Sequence, residues 1–246
     1  MTGRLSEPLR RRNIFILTGA GISAESGLGT FRDSKGEGIW ARFDPMKLAT
    51  PEAFARDREA VLAFYDLRRR NLISARPNAA HFALARLEAG LLARGGRLTL
   101  VTQNIDDLHE RAGSRRVIHM HGELLKARCD ACETVRPQLG DLAVSHACGT
   151  CGRTGALRPH VVWFGEMPMR MDEIERALRE ADLLVAIGAS GAVYPAAGFV
   201  AGARARGIRA CEINLEAADN ADLFDEQRLG AASETVPAWV EEILSE

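Results

Sequence analysis

Short apolar runs punctuate the chain, and each one stops at a polar residue or a glycine. Asn13-Ile-Phe-Ile-Leu17 ends at Thr18-Gly19. Arg97-Leu-Thr-Leu-Val-Thr102 ends at Gln103, Asp182-Leu-Leu-Val-Ala-Ile187 at Gly188, and a fourth run covers Arg209 to Leu215. Val117-Ile118, before His119, makes a short fifth. Runs of this length predict strands buried on both faces, as in a parallel sheet. Between them the apolar spacing is helical. Asn78 is the expected N-cap of a helix over Ala79 to Ala89, with Phe82, Leu84 and Leu87 roughly at helical spacing. Further helices are expected over Met171 to Glu180 and Ala196 to Arg206. Strand and helix in alternation predict an α/β fold with a doubly wound parallel sheet.

Two stretches break the alternation. Residues 34–76 hold no convincing strand; Thr50-Pro51 starts a helical pattern that continues to Ile73. Residues 126–159 carry four cysteines and several glycines. The expected organisation is one domain with a large Rossmann-like lobe over residues 13–34, 77–125 and 160–246. A smaller inserted lobe would have a helical part, 35–76, and a cysteine-bearing part, 126–159.

Composition narrows the function. With 246 residues, 46% apolar and 26% charged, the chain can bury a full core without disulfides. Lys plus Arg number 32 against 33 Asp plus Glu, a net charge of −1 that speaks against a nucleic-acid or membrane-surface binder. No apolar run approaches the ~18–20 residues of a membrane span. Met1 to Arg12 is polar without a signal-peptide core, and Arg10 to Arg12 reads as a solvated arm. A reducing, cytoplasmic setting is therefore expected, in which cysteines bind metal or do chemistry.

Cys129-x-x-Cys132 and Cys148-x-x-Cys151 are separated by 15 residues, a strong zinc pattern. Four thiolates close a tetrahedral site and leave no open position, so one structural Zn²⁺ per chain is expected. His146 nearby reads as a surface residue, and Cys211, in a strand, as a small buried apolar one.

Gly19-Ala20-Gly21-Ile22-Ser23-Ala24 directly follows the first run and fits G-x-G-x-x-G/A, a turn that brings backbone close to a pyrophosphate. The second strand with its terminal acid, which the usual dinucleotide motif needs, is missing; Asp33 to Trp40 reads as loop. Arg32 suits a phosphate contact. Further polar groups follow strand ends: Gln103-Asn104-Ile105-Asp106, His119-Met-His121-Gly122, Gly188-Ala189-Ser190, and Asn214-Leu215-Glu216. Such positions are where open α/β sheets bind ligands. His119 and His121 could be metal ligands or alternating strand residues, and one of them could be a general base. Spacing alone does not choose.

In this order, Gly19 to Gly27 with Phe31-Arg32, Thr102 to Asp106, His121-Gly122, the two C-x-x-C pairs, Gly188-x-Ser190 and Asn214 resemble the sirtuin family, nearest its bacterial CobB-type, class III members. The resemblance runs from about residue 13 to the end. It implies an NAD-dependent protein-lysine deacylase, with acylated-lysine proteins as partners. In that chemistry the acyl oxygen attacks the anomeric carbon of the nicotinamide ribose and nicotinamide leaves. His121 then acts as general base on a ribose hydroxyl, and the acyl group ends on ADP-ribose.

By the same resemblance Gly19 to Ser23, Phe31 and Arg32 contact phosphates and ribose, Gln103 holds the ribose, and Asn104, Ile105 and Asp106 form the nicotinamide pocket. Gly188, Ala189, Ser190, Asn214, Leu215, Glu216 and Ala232 line the adenosine half. Val162 and Phe164, in Val162-Trp-Phe-Gly165, pair with substrate backbone by strand addition. His119 is left as a structural residue or one that supports the site from behind.

Tyr65 and Arg68 stand at i, i+3 on one helix face, where phenol and guanidinium can hold a carboxylate at the end of an acyl chain. A similar Tyr-x-x-Arg pair reads succinyl- and malonyl-lysine in class III sirtuins, so deacetylation and desuccinylation or demalonylation are both expected. The competing readings are a mono-ADP-ribosyltransferase on the same site, an NAD-dependent dehydrogenase, and a non-catalytic zinc-ribbon module. A monomer is expected.

Overall fold

The computed structural model describes residues 13–29 and 44–245. Phe31 and Arg32 lie outside the described residues. In chain order the strands are β1 (Asn13–Thr18), β2 (Arg97–Thr102), β3 (Val117–His119), β4 (Gly122–Cys129), β5 (Val135–Pro137), β6 (Leu157–Val161), β7 (Leu183–Ile187), β8 (Arg209–Asn214) and β9 (Glu226–Leu229). The helices are α1 (Gly21–Ala24), α2 (Pro45–Leu48), α3 (Pro51–Arg56), α4 (Arg58–Ser74), α5 (Ala79–Ala93), α6 (Leu108–Arg111), α7 (Met171–Arg179), α8 (Gly198–Arg204) and α9 (Ala232–Ser245).

Six strands form one parallel sheet in the order β3-β2-β1-β7-β8-β9. This is the expected doubly wound arrangement. Strand order reverses between β1 and β7, and that point is where such sheets open a crevice. A second, antiparallel sheet has the order β5-β4-β6.

Both faces of the large sheet are covered, which is why its strands read as unbroken apolar runs. Ile14, Ile16, Leu100, Val185 and Ile213 pack on one face against Leu84 and Leu87 of α5 and Trp239 and Val240 of α9. Phe15, Val101 and Leu184 pack on the other, against Ile174 and Leu178 of α7 and Phe199 of α8. Each such fully buried side chain contributes about 1.5–3 kcal/mol. Phe82 does not join this core: it is 53% exposed, because Ala80, Ala83, Leu84, Leu87 and Leu91 already make the inward face of α5.

The helical insert differs from one continuous helix. Thr50 caps α3 by accepting the Ala53 amide at 3.0 Å. Asp57 then ends α3 and caps α4, its carboxylate accepting the Ala60 amide at 3.0 Å. An aspartate with non-helical backbone supplies a cap more readily than a continued helix. α3, α4, β4, β6 and Trp163 share a separate apolar core.

Register aligns the ends of the large sheet. Thr18 pairs with Thr102 and with Ile187, Thr102 with His119, and Ile187 with Ile213. The residues that follow these strands therefore leave along one edge.

Candidate active site

Three glycines form the base of the crevice. The Gly19 amide donates to the Ile187 carbonyl and the Gly21 amide to the Gly188 carbonyl, both at 2.9 Å. A Cβ on Gly19 would lie 2.6 Å from the Gly188 oxygen, and one on Gly21 2.7 Å from the Gly188 Cα. Gly188 has φ +60°, and a Cβ there would lie 2.4 Å from the Ile22 nitrogen. The β1 and β7 loops thus touch backbone to backbone, which only glycine permits. A narrow cleft opens beside them, lined in part by Leu17, Gln103, Ala189, Gly191, Val193 and Asn220.

Behind the glycines lies a buried polar cluster. The Ser23 hydroxyl donates to Asp106 Oδ2 at 3.0 Å, and Asn104 Nδ2 donates to the Gly19 carbonyl at 3.1 Å and to Ser23 Oγ at 3.2 Å. These are three of the residues that the sequence puts in one ligand crevice. Burial raises the Asp106 carboxyl above its ordinary range, against the Leu108 amide and the Ser23 hydroxyl, which favour its charge.

Two histidines missed in the sequence complete the cluster. His81 Nε2 lies 3.4 Å from Ser23 Oγ, and its ring lies 4.9 Å from that of His109, tilted by 56°; His109 Nε2 meets Thr18 Oγ1 at 3.1 Å. Burial lowers His81 to about 4 and His109 well below its ordinary value. The signal for His81 was local: it stands three residues after the cap Asn78, and its Nδ1 lies 3.3 Å from the Asn78 amide nitrogen in a capping box. Asn78 Nδ2 in turn donates to the Ile22 carbonyl at 2.8 Å and ties α5 to the glycine loop.

His121 follows β3. Its Nδ1 lies 3.0 Å from the Gln103 carbonyl, a contact that places the proton on Nδ1 and leaves the lone pair on Nε2. Burial lowers its pKa, only partly opposed by that carbonyl, so the imidazole is neutral and basic at pH 7.

On the small-lobe side, Tyr65 is buried, and the Trp163 indole donates to its hydroxyl at 3.0 Å. The Tyr65 proton remains to be donated elsewhere. The Arg68 guanidinium lies 5.7 Å from the Tyr65 ring and 5.6 Å from the Phe64 ring. Burial raises the Tyr65 pKa, against the nearby Arg68 charge. It lowers that of Arg68, against the charges of Tyr65 and Asp106. Arg68 therefore sits in the field of both.

Trp163 was quoted in its motif but given no task. It is clamped: Arg158 lies 3.2 Å over its ring and donates to Glu166 at 2.7 and 2.9 Å, and the Trp163 amide donates to Glu166 at 2.8 Å. Val162 and Phe164 flank it. Their amides donate to the His121 and Ala49 carbonyls, each at 2.9 Å, and the Phe164 side chain is partly exposed.

At the far end of the crevice, Asn214 Nδ2 donates to the Ala189 carbonyl at 3.0 Å and contacts Glu212 Oε1 at 3.3 Å. Glu212, buried and unassigned by the sequence, also accepts the Ala218 amide at 2.7 Å. Ser190 is exposed; its carbonyl accepts the Asp219 amide at 3.0 Å. Leu215 and Glu216 are exposed on the loop after β8, and Ala232 opens α9, which follows β9.

The four cysteines converge away from this crevice. Cys129 and Cys151 sulfurs are 3.8 Å apart, Cys132 and Cys148 3.7 Å, and all four lie within 4.8 Å of one another. Tetrahedral zinc–thiolate bonds of ~2.3 Å place sulfurs ~3.8 Å apart, so the set fits one structural Zn²⁺. The amides of Cys151 and Thr150 favour the Cys148 thiolate and bring its pKa down to about 6. Among the described residues no other group of three or more His, Cys, Asp or Glu gathers in this way, and His119 and His121 belong to no such group. His146 accepts the Ala143 amide instead. Cys211 is buried, and burial pushes its thiol up to about 12.

Comparison with known proteins decides the kinship. The Sir2 family model matches residues 19–195. The chain belongs to the Sir2 family. An NAD-dependent protein deacylase of Caulobacter vibrioides is 62% identical over 232 residues, covering 94% of this chain and 97% of that protein. A Sir2 homologue solved as its NAD complex superposes with a TM-score of 0.85 at 39% identity, covering 96% of this chain and 91% of that one. A Sir2 variant solved with a deacetylated peptide and 3'-O-acetyl ADP-ribose gives 0.77 at 29% identity, covering 93% and 92%.

Among the described residues no helix is long and apolar enough to cross a membrane.

Proposed function

We propose that this chain is an NAD-dependent protein-lysine deacylase that acts on acetyl-lysine and on carboxylate-bearing acyl-lysines. The observation that carries the chemistry is His121, a half-buried neutral imidazole with one nitrogen fixed on the Gln103 carbonyl and the other left basic. The family and the 62% identical deacylase support the reaction class.

NAD, as co-substrate, would supply an anomeric carbon from which nicotinamide departs, so that the acyl group ends on ADP-ribose. Gly19 to Ser23 give that co-substrate a floor without bulky side chains. Gln103 and Asn214 face the ribose hydroxyls, and Asn104, Ile105 and Asp106 surround the nicotinamide. His121 Nε2 accepts a proton from a ribose hydroxyl, which a charged imidazolium could not do. Tyr65 and Arg68 offer an O–H and a cation to a terminal carboxylate on the acyl chain, while Trp163 holds Tyr65 in place.

The test pairs one peptide sequence carrying acetyl-lysine or succinyl-lysine with NAD, and follows nicotinamide release and O-acyl-ADP-ribose by mass. Both products in equal amounts support deacylation. Label from NAD retained on protein would instead identify ADP-ribosyl transfer, and reduced nicotinamide would identify a dehydrogenase.

A further inference from the structure

His119 has no part in the reading above, yet it is 8% exposed and bonded at both nitrogens. Nε2 meets Glu110 Oε1 of α6 at 2.7 Å; Nδ1 points at the Asn104 carbonyl at 3.4 Å. The neighbouring contacts give this arrangement its meaning. Gln103, Asn104 and Ile105 are consecutive. Their carbonyls meet His121 Nδ1 at 3.0 Å, His119 Nδ1 at 3.4 Å and the Leu124 amide at 2.8 Å. Three successive carbonyls of the loop are thus held by three donors from residues 119–124. The middle one is tied onward to α6.

The two imidazoles are pushed in opposite directions. Burial alone would lower His119, but the Glu110 hydrogen bond and charge, with Glu123 of β4, outweigh it and raise the pKa. Asp106 of the loop and His109 of α6 also feel its charge. A protonated His119 can donate from both nitrogens at once, to a carboxylate and to a carbonyl. His121 has only one N–H and keeps a basic nitrogen.

The geometry points to His119 as a positioning residue for the nicotinamide-binding loop, with the Glu110–His119–Asn104 bridge fixing how Asn104, Ile105 and Asp106 are presented. This rests on the assignment of residues 104–106 to nicotinamide. Asn104 is the lever, since its side chain also grips the Gly19 carbonyl and Ser23. That grip holds the Asn104 side chain and the glycine loop in place, so loss of the His119 bond turns the carbonyl side of residues 104–106 and spares the floor under ADP-ribose.

The experiment measures exchange of labelled nicotinamide into NAD, alongside ADP-ribose affinity and thermal midpoint. ADP-ribose lacks the nicotinamide, so a general loss of structure would lower its affinity too. His119→Leu is expected to cut exchange about tenfold or more and to leave ADP-ribose affinity within about twofold. His119→Asn, whose amide nitrogen can stand where Nδ1 stood, should recover most of the exchange. Glu110→Gln keeps the shape and removes the charge; it should lower exchange at least about threefold, and it remains decisive if the leucine variant fails to fold. Exchange within about twofold of wild type in both His119→Leu and Glu110→Gln would overturn the inference, as would an equal loss of ADP-ribose affinity. A wild-type enzyme that releases no nicotinamide from NAD with acyl-peptide would instead overturn the nicotinamide assignment beneath it.

Discussion

Replacing Arg68 with Met removes the guanidinium and keeps most of the stem, so packing against Phe64 and Tyr65 is disturbed little. What is lost is a cation beside the Tyr65 ring at 5.7 Å, in a half-buried setting that also feels Asp106. A charge-assisted hydrogen bond contributes about 1.5–3 kcal/mol, which is roughly 10- to 150-fold in kcat/KM for a substrate that ends in a carboxylate. An acetyl group offers Arg68 no carboxylate, so its turnover should change only through the weaker Coulomb effect on Asp106, about threefold or less. The assay compares kcat/KM for succinyl- and acetyl-lysine in one peptide sequence, by nicotinamide release. Tyr65→Phe is the companion variant. It loses one neutral hydrogen bond to the acyl carboxylate, about 0.5–1.5 kcal/mol, and leaves the buried Trp163 N–H without its acceptor, so it should also melt earlier. Parallel losses on both acyl groups in Arg68→Met would refute the reasoning, because the guanidinium would then serve the structure or the shared chemistry and not the acyl end.

Turnover on acetyl-lysine should rise with pH through a value below 6.5, because His121 must be neutral and burial lowers its pKa; a single rise centred above 7 would contradict this. His121→Tyr should abolish turnover while zinc content stays near one per chain. Acid should destabilise the fold: below pH 6.5 the unfolded chain protonates a histidine that stays neutral at position 81 down to about 4. From His81 alone, unfolding free energy should fall by about 1.5 kcal/mol between pH 6.5 and 5, and a flat profile in denaturant melts would count against a buried neutral histidine. Gly188→Ala combines a left-handed backbone with a Cβ 2.4 Å from the Ile22 nitrogen, so it should lose more than about 2 kcal/mol of stability together with ADP-ribose binding, read by calorimetry.

The central strands were legible because burial on both faces favours apolar residues at nearly every position; β1 and β7 follow this closely, and β2 and β8 do so apart from residues such as Thr99 and Glu212. β9 carries Glu226-Gln-Arg-Leu229 at the sheet edge, where alternate residues face solvent, and so shows no apolar run. α9 was hidden in the same way, since Pro237 lies inside it and argues locally against a helix. The cysteine site was legible because metal geometry acts through short spacing. The polar cluster was half legible: Ser23, Asn104 and Asp106 stand in motifs, whereas His81, Glu110 and Trp163 join the site from other elements, through contacts as distant in sequence as Trp163 to Tyr65. Spacing reports local constraints well and says little about which side chain arrives from across the fold.

The clamp on Trp163 links the cysteine cluster to Tyr65 through the small sheet. Cys129 pairs with Leu157 across β4 and β6, and the next residue, Arg158, holds Glu166 and covers Trp163, which in turn supports Tyr65. Three residues, Leu157, Arg158 and Trp163, therefore separate Cys129 from the Tyr65 phenol. Zinc bound at the cysteines would therefore steady more than the ribbon: it would also brace the proposed acyl reader. A partly demetallated population would confuse acyl groups before it lost its hold on NAD, which rests on the other lobe.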